Sequence, residues 1–277
     1  MLVLFSLASD TLNLMYPIWY FIFAVVGFAG VVTLLLPSFY RTICCFRPQN
    51  LKTRYNADWS IVTGGSSGIG KAIVEKLCQQ NINVIILAVD DEVLKNTAAE
   101  LTAKYPNVEI ISVGADLAKT GYMELLEKQT QNKDIKLLFC NAGFMLSGFF
   151  ASTHINAAKA NSAVNVGCHL ELTHKYLNQM LKSNSTKNGK RGAIFFTSSP
   201  AWMLPSPTAA MYAGTKACRL NFNFVICISK KYLVNEWKTM FILTSFLFFI
   251  SLCFCADCFF FVSFDSFGFI IFFHKMS

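Results

Sequence analysis

Ser60-Ile-Val-Thr-Gly-Gly-Ser-Ser-Gly-Ile-Gly-Lys-Ala-Ile-Val-Glu-Lys-Leu-Cys78 changes character twice. Ser60 to Thr63 is a short β-type run, Gly64 to Gly70 is a glycine-rich turn, and Lys71 to Cys78 is helical in pattern. In that helix Ile69, Ile73, Val74 and Leu77 recur at helical spacing. A strand running through glycines into a helix has a mechanical use. Missing side chains let the backbone approach a pyrophosphate, and the first N–H groups of the helix point at its negative charge. The residues placed to hold it are Thr63, Gly64, Ser66, Ser67, Gly68, Ile69 and Gly70. A glycine triplet alone serves any tight turn. Its position between a strand and a helix is what makes it a dinucleotide site.

Downstream, strands and helices alternate. Asn83–Val89 is a continuous apolar run, as expected of a strand covered on both faces. A helix over Glu92–Lys104 follows, then strands at Val108–Val113, Ile135–Cys140 and Ala193–Thr197. Thr120–Gln131 and Ile155–Lys182 are the intervening helices, the second of them long, and Ser183–Lys190 is a polar turn. Repeated β-α-β units with right-handed crossovers give an α/β fold: a doubly wound parallel sheet, Rossmann-type and three-layered.

The end of the second strand should meet the ribose of a dinucleotide, where a carboxylate suits a 2′-hydroxyl and a base suits a 2′-phosphate. Asp90 stands twenty positions after Gly70, near the expected offset, and no Arg or Lys is adjacent. Asp116, after the third strand, suits either the adenine edge or the N-cap of the next helix. Asn141, Ala142 and Gly143 follow the fourth strand on the same carboxyl edge.

Tyr212 and Lys216 are four apart, so they share one helical face. A phenol ordinarily ionises near pH 10, and a neighbouring ammonium favours its anion. Ser199 stands thirteen residues before Tyr212 at the end of the fifth strand, and Asn165 lies in the long helix.

Taken together, Thr63–Gly70, Asn141-Ala-Gly143, Asn165, Ser199 and Tyr212/Lys216 resemble the short-chain dehydrogenase/reductase family, from Trp59 to about Leu220. The resemblance implies that Tyr212 protonates a carbonyl oxygen and that Lys216 binds the nicotinamide ribose and tunes Tyr212. It also implies that Ser199 orients the carbonyl and that Asn165 holds a relay water. Within the family, Leu51-Lys52, Trp59 and Arg191-Gly-Ala-Ile194…Leu204-Pro-Ser-Pro207 resemble membrane-anchored very-long-chain 3-oxoacyl-CoA reductases and their 17β-hydroxysteroid dehydrogenase kin. 3-Ketodihydrosphingosine reductases are the second resemblance. Both imply a long-chain lipid ketone as substrate, fatty acid elongation or related lipid metabolism at the endoplasmic reticulum, and NADPH. The residue at the end of the second strand is Val89 rather than a base, so NADP(H) and NAD(H) both stay open.

The ends of the chain are different in kind. Thr11 to Tyr40 is uncharged, long enough for a transmembrane helix. Arg41, Arg47, Lys52 and Arg54 follow it and only Asp10 precedes it, which predicts an anchor with the catalytic domain cytosolic. After about Leu220 the family pattern fails, and residues 221–277 hold 15 of the 27 Phe. That atypical tail is a second span over Thr239–Ala256, an amphipathic tail or an aberrant terminus. The organisation expected is therefore an anchor and basic linker (1–50), a dinucleotide-binding catalytic domain lacking its last strands (51–220), and the tail (221–277). Without a sixth strand the fifth keeps an open edge and the substrate pocket lacks its floor. That makes turnover by this chain doubtful, and a truncated relative that binds dinucleotide or a membrane partner without turnover is the alternative function. The net charge of +8 is dispersed, so no nucleic-acid partner is expected, and the four His form no ligand grouping, so no metal is expected. The resemblance also allows a homodimer.

Overall fold

A computed structural model of the chain contains two compact units, residues 1–47 and 48–277. It describes residues 17, 19–33, 35–36, 50–183, 192–202, 207–231, 239–243, 260–265 and 268–270. In the first unit a helix, α1, covers residues 19–33 and exposes Tyr20, Phe23, Val26 and Phe28. Among the described residues no helix is long and apolar enough to cross a membrane. Residues 11–16, 18, 34 and 37–40 of the Thr11–Tyr40 segment and the charges at Arg41 and Arg47 lie outside them.

The second unit opens with α2 (Leu51–Tyr55), started by the Asn50 side chain, which accepts from the Thr53 N–H. Then come β1 (Trp59–Thr63), α3 (Gly68–Cys78), β2 (Asn83–Ala88), α4 (Glu92–Lys104), β3 (Ile110–Gly114), α5 (Tyr122–Thr130) and β4 (Ile135–Cys140). After β4 the chain forms α6 (Ile155–Ser162), a π-turn (Ala163–Gly167), α7 (Cys168–Ser183), β5 (Ala193–Ser198) and α8 (Ala210–Lys231). Three further strands follow: β6 (Thr239–Leu243), β7 (Phe260–Asp265) and β8 (Gly268–Ile270).

The strand order is β3-β2-β1-β4-β5-β6-β7-β8, parallel as far as β6 and antiparallel beyond it. Alternate residues of each central strand feed opposite cores. Val84 and Ile86 join Ile73, Val74, Leu77 and Leu101 of α3 and α4 on one face. Ile85 and Leu87 join Leu126, Leu172 and Tyr176 of α5 and α7 on the other. Burial on both faces is why these strands read as unbroken apolar runs. Phe139 of β4 and Phe195 of β5 stack at 4.3 Å between ring centres, and Tyr55 of α2 meets Phe195 edge-on.

Three expectations change. The long helix is interrupted at Ala163–Gly167, where the turn widens to put Asn165 in the interior. β5 has no open edge, because Ile194–Ser198 pairs in parallel with Thr239–Leu243. A strand therefore stands where the second span was expected to begin, and α8 passes through residue 220 to Lys231. Residues 244–259, the remainder of that segment, lie outside the described set.

Candidate active site

The sheet order reverses between β1 and β4, and a crevice opens there at the carboxyl ends of the strands. It holds a cavity of about 600 Å³ lined by residues of the glycine turn, by Asn141, Ala142 and Gly143, and by Tyr212 and Lys216.

The glycine turn is built for close approach. Gly64 (φ +63°) and Gly68 (φ +52°) take the left-handed backbone that side chains disfavour. The Gly64 N–H donates to the Leu87 carbonyl at 2.8 Å, tying the turn to β2. A Cβ on Gly70 would fall 1.9 Å from the Gly64 carbonyl oxygen, so only glycine closes this turn. Ser66, Ser67 and Ile69 line the cavity beside it. The Thr63 hydroxyl, at the end of β1, accepts from the Asn141 and Ala142 N–H groups, both at 2.9 Å, and so holds the two strand ends together.

At the far end the cavity is lined not by Asp90 but by the next carboxylate. Asp90 packs over Gly114, where a Cβ would meet its own Cβ at 2.6 Å, and it does not line the cavity. Val89 and Asp91 line it, and the Asp91 carboxylate also caps α4 by accepting from the Leu94 N–H. Asp116 lines the cavity too. It is not the N-cap of α5, which is Gly121; it accepts from the Ala118 N–H and pairs with Lys119 at 3.4 Å.

Asn165 is fully buried. Its Oδ1 accepts from the Phe144 N–H, and its Nδ2 donates to the Phe144 carbonyl at 3.1 Å and to Thr215 Oγ1 at 3.1 Å. Both amide hydrogens thus have protein acceptors, and the side chain clamps the segment after β4 to α8. Gly143 lies against this clamp: a Cβ there would come 2.6 Å from Asn165 Oδ1 and 3.7 Å from Lys216 Nζ.

His169, four residues on, was not singled out by sequence. Its Nε2 lies 3.1 Å from Thr63 Oγ1 and its Nδ1 3.3 Å from the Asn165 carbonyl, so it bridges the end of β1 and the π-turn. Burial, reinforced by the Arg219 charge, holds its ring well below the usual range and hence neutral. The i, i+4 spacing from Asn165 was the available signal.

Tyr212 and Lys216 come from α8. The Lys216 ammonium is buried, donates to the Thr197 carbonyl at 3.4 Å and lies 5.2 Å from the centre of the Tyr212 ring. Ser199 follows β5 directly, with its Oγ accepting from the Ala201 N–H at 3.3 Å; its neighbour Ser198 lines the cavity. Among the described residues no three His, Cys, Asp or Glu side chains group to hold a metal.

Burial, with the Arg219 charge second, pushes the Lys216 ammonium down from 10.5 to about 7. The folded chain then binds fewer protons than the unfolded chain between those values, so this lysine makes stability rise as pH climbs from about 7 to 10.5. Lys216→Met should therefore be more stable than the parent by roughly 3–5 kcal/mol near pH 6.5, the gap closing toward pH 10.5. Urea unfolding at both ends of that range measures it, and a gap that does not narrow contradicts the burial cost.

A glycine-rich turn and a Tyr/Lys pair thus meet in one crevice of a sheet ordered 3-2-1-4-5-6. The short chain dehydrogenase family model matches residues 58–226, more than half of the chain. The chain belongs to that family. Among curated relatives of the chain, the very-long-chain 3-oxoacyl-CoA reductase of Laccaria bicolor is 30% identical over 169 residues, 60% of this chain and 48% of the relative. The 17-beta-hydroxysteroid dehydrogenase type 3 of Homo sapiens is 27% identical over 186 residues, 67% of this chain and 56% of the relative. The chain spans about half the length of the curated relatives it matches. Among solved structures, a 7beta-hydroxysteroid dehydrogenase superposes with a TM-score of 0.59 at 26% identity, covering 65% of this chain and 67% of that one.

Proposed function

We propose that this chain is a membrane-anchored, nicotinamide dinucleotide-dependent oxidoreductase that reduces a long-chain lipid ketone, of the 3-oxoacyl-CoA type, to a secondary alcohol. The observation that carries this is the shared cavity: Gly64, Ser67 and Asn141 line the same space as Tyr212 and Lys216. A dinucleotide fits the residues present, because Gly64, Gly68 and Gly70 put no side chain between the backbone and a pyrophosphate at the start of α3.

Gly64, Ser66, Ser67, Gly68, Ile69 and Gly70 hold the phosphates, and Asn141, Ala142 and Gly143 wall the nicotinamide end. The dinucleotide, when bound, supplies the hydride. Tyr212 donates its phenolic proton to the ketone oxygen as negative charge develops there. The Lys216 ammonium under its ring lowers the cost of the phenolate left behind. Ser199 donates to the same ketone oxygen and orients it. Asn165, Thr63 and His169 act as positioning residues, keeping the two walls of the crevice in register.

Two observations support a lipid substrate. The segment after β4 exposes Phe144, Met145, Phe149 and Phe150, and the Gly148 N–H joins it to the Thr208 carbonyl just before α8. An apolar rim of this kind suits an acyl chain. The named relatives include a very-long-chain 3-oxoacyl-CoA reductase. The exposed apolar α1 and the uncharged Thr11–Tyr40 segment support an anchor at the endoplasmic reticulum membrane with the catalytic unit in the cytosol. The non-catalytic alternative is not favoured, since β6 covers the edge that was expected to be open.

Asp91 and Asp116 line the cavity, and among the described residues Lys216 is its one basic lining residue. This predicts that NADH binds more tightly than NADPH, by about tenfold, because a 2′-phosphate beside a carboxylate is repelled. Fluorescence titration of the full chain with both cofactors checks it, and tighter NADPH binding would contradict it. For the function itself, the full chain in detergent should consume the reduced dinucleotide when given a long-chain 3-oxoacyl-CoA. Binding of dinucleotide without any ketone turnover would refute the reductase.

A further inference from the structure

Three residues beyond Lys216, the side chain of Arg219 is fully buried. Its Nη2 donates to the Cys140 carbonyl at the end of β4, and its guanidinium carbon lies 5.8 Å from the centre of the Phe196 ring. Among the described residues its Nε and Nη1 have no hydrogen-bond partner. Neither Lys216 nor Arg219 forms an ion pair among those residues. A buried cation without a carboxylate is costly, and two of them three positions apart on one helix are more so. A core that needed only to be filled would carry an aliphatic residue here.

We propose that Arg219 is a positioning residue of the active site: it pins the Cys140 end of β4 and stands as a fixed positive charge beneath Lys216 and Tyr212. The inference rests on the reductase assignment for its purpose, but its physical core does not. The groups facing the guanidinium are Tyr212 on its own helix, Cys140 on β4 and Cys168 and His169 on α7. Burial holds His169 neutral and pushes the Cys140 thiol up to about 12. Burial raises the Cys168 thiol as well, so neither thiol ionises near neutrality and neither offsets the charge. The fixed charge opposes protonation of Lys216, so it moves the pH at which that ammonium loses its proton downward.

The test is a titration of the Lys216 ammonium by NMR in the full chain, labelled at lysine and assigned with Lys216→Met. Parent, Arg219→Met, Arg219→Gln and Arg219→Lys are compared. Removing the charge should raise the Lys216 midpoint by about one pH unit in the Met and Gln variants, and Lys should restore it. Gln retains a donor for the Cys140 carbonyl, so it keeps the test readable if Met disturbs the fold. Midpoints unchanged in both Met and Gln would overturn the proposal. The pH profile of ketone reduction should follow the midpoints. Shifted midpoints in a parent that shows no turnover would sustain the role of Arg219 and refute the reductase assignment.

Discussion

Tyr212→Phe is expected to cut ketone reduction by about 10³-fold while leaving dinucleotide affinity within about twofold. The phenol lines the cavity and Lys216 Nζ lies 5.2 Å from its ring centre. Removing one oxygen deletes the proton donor and leaves the packing of the ring. The alkoxide formed by reduction would then depend on Ser199 and water, a much poorer source of a proton in a confined site. The loss should appear in kcat, because the phenol acts as charge develops rather than in ground-state binding. Steady-state rates of parent and variant with the same 3-oxoacyl-CoA measure it. Equal kcat values would remove Tyr212 from the chemistry.

The second large effect is expected at Gly70. Alanine there would place a methyl group 1.9 Å from the Gly64 oxygen, 2.7 Å from its carbonyl carbon and 2.8 Å from Asn141 Nδ2. The first two obstacles are backbone, and Gly64 is itself held to the Leu87 carbonyl, so no rotamer relieves the clash. The turn must open, and the N–H groups at the start of α3 lose their aim. Gly70→Ala should weaken dinucleotide binding more than about 100-fold and cost on the order of 1–3 kcal/mol of stability. Gly214→Ala is the contrasting variant: nothing lies within 4 Å of its Cβ, and it sits exposed in α8. There alanine should stabilise the helix by up to about 1 kcal/mol. Fluorescence titration and urea unfolding of both variants separate the effects, and a Gly70→Ala chain that binds like the parent would contradict the turn geometry.

The parts of this architecture that sequence showed most clearly are those where physics leaves one solution. β4 falls on Ile135–Cys140 and α4 on Glu92–Lys104, as expected, because two-face burial and a capped amphipathic run each leave a plain pattern. The π-turn left none: Ala163–Gly167 fits an ordinary helix by composition, and only the buried contacts of Asn165 reveal the extra residue. β6 was hidden for another reason. Thr239-Met-Phe-Ile-Leu243 sits in an uncharged Phe-rich run where periodicity cannot separate a strand from a membrane segment, and only pairing with β5 identifies it.

The same distinction holds at the site. The glycine turn, Asn141, Tyr212 and Lys216 were legible because chemistry fixes their spacing, and the structure places them around one cavity. The carboxylate that lines the cavity beyond β2 was not, since a one-residue difference in where β2 ends exchanges Asp90 for Asp91. Arg219 and His169 were missed because burial, which gives them their meaning, comes from tertiary packing. Their spacing from Lys216 and Asn165 only shows that they share a helix face.

A single crevice for dinucleotide and ketone requires hydride to pass straight from one to the other, and an isotope follows it: the full chain is given reduced dinucleotide with both C4 hydrogens of the nicotinamide replaced by deuterium, and a long-chain 3-oxoacyl-CoA. Deuterium should appear on the carbinol carbon of the 3-hydroxyacyl product, one atom per cofactor consumed. Dinucleotide that binds in the crevice and returns with its deuterium intact, and with the ketone unchanged, would contradict it.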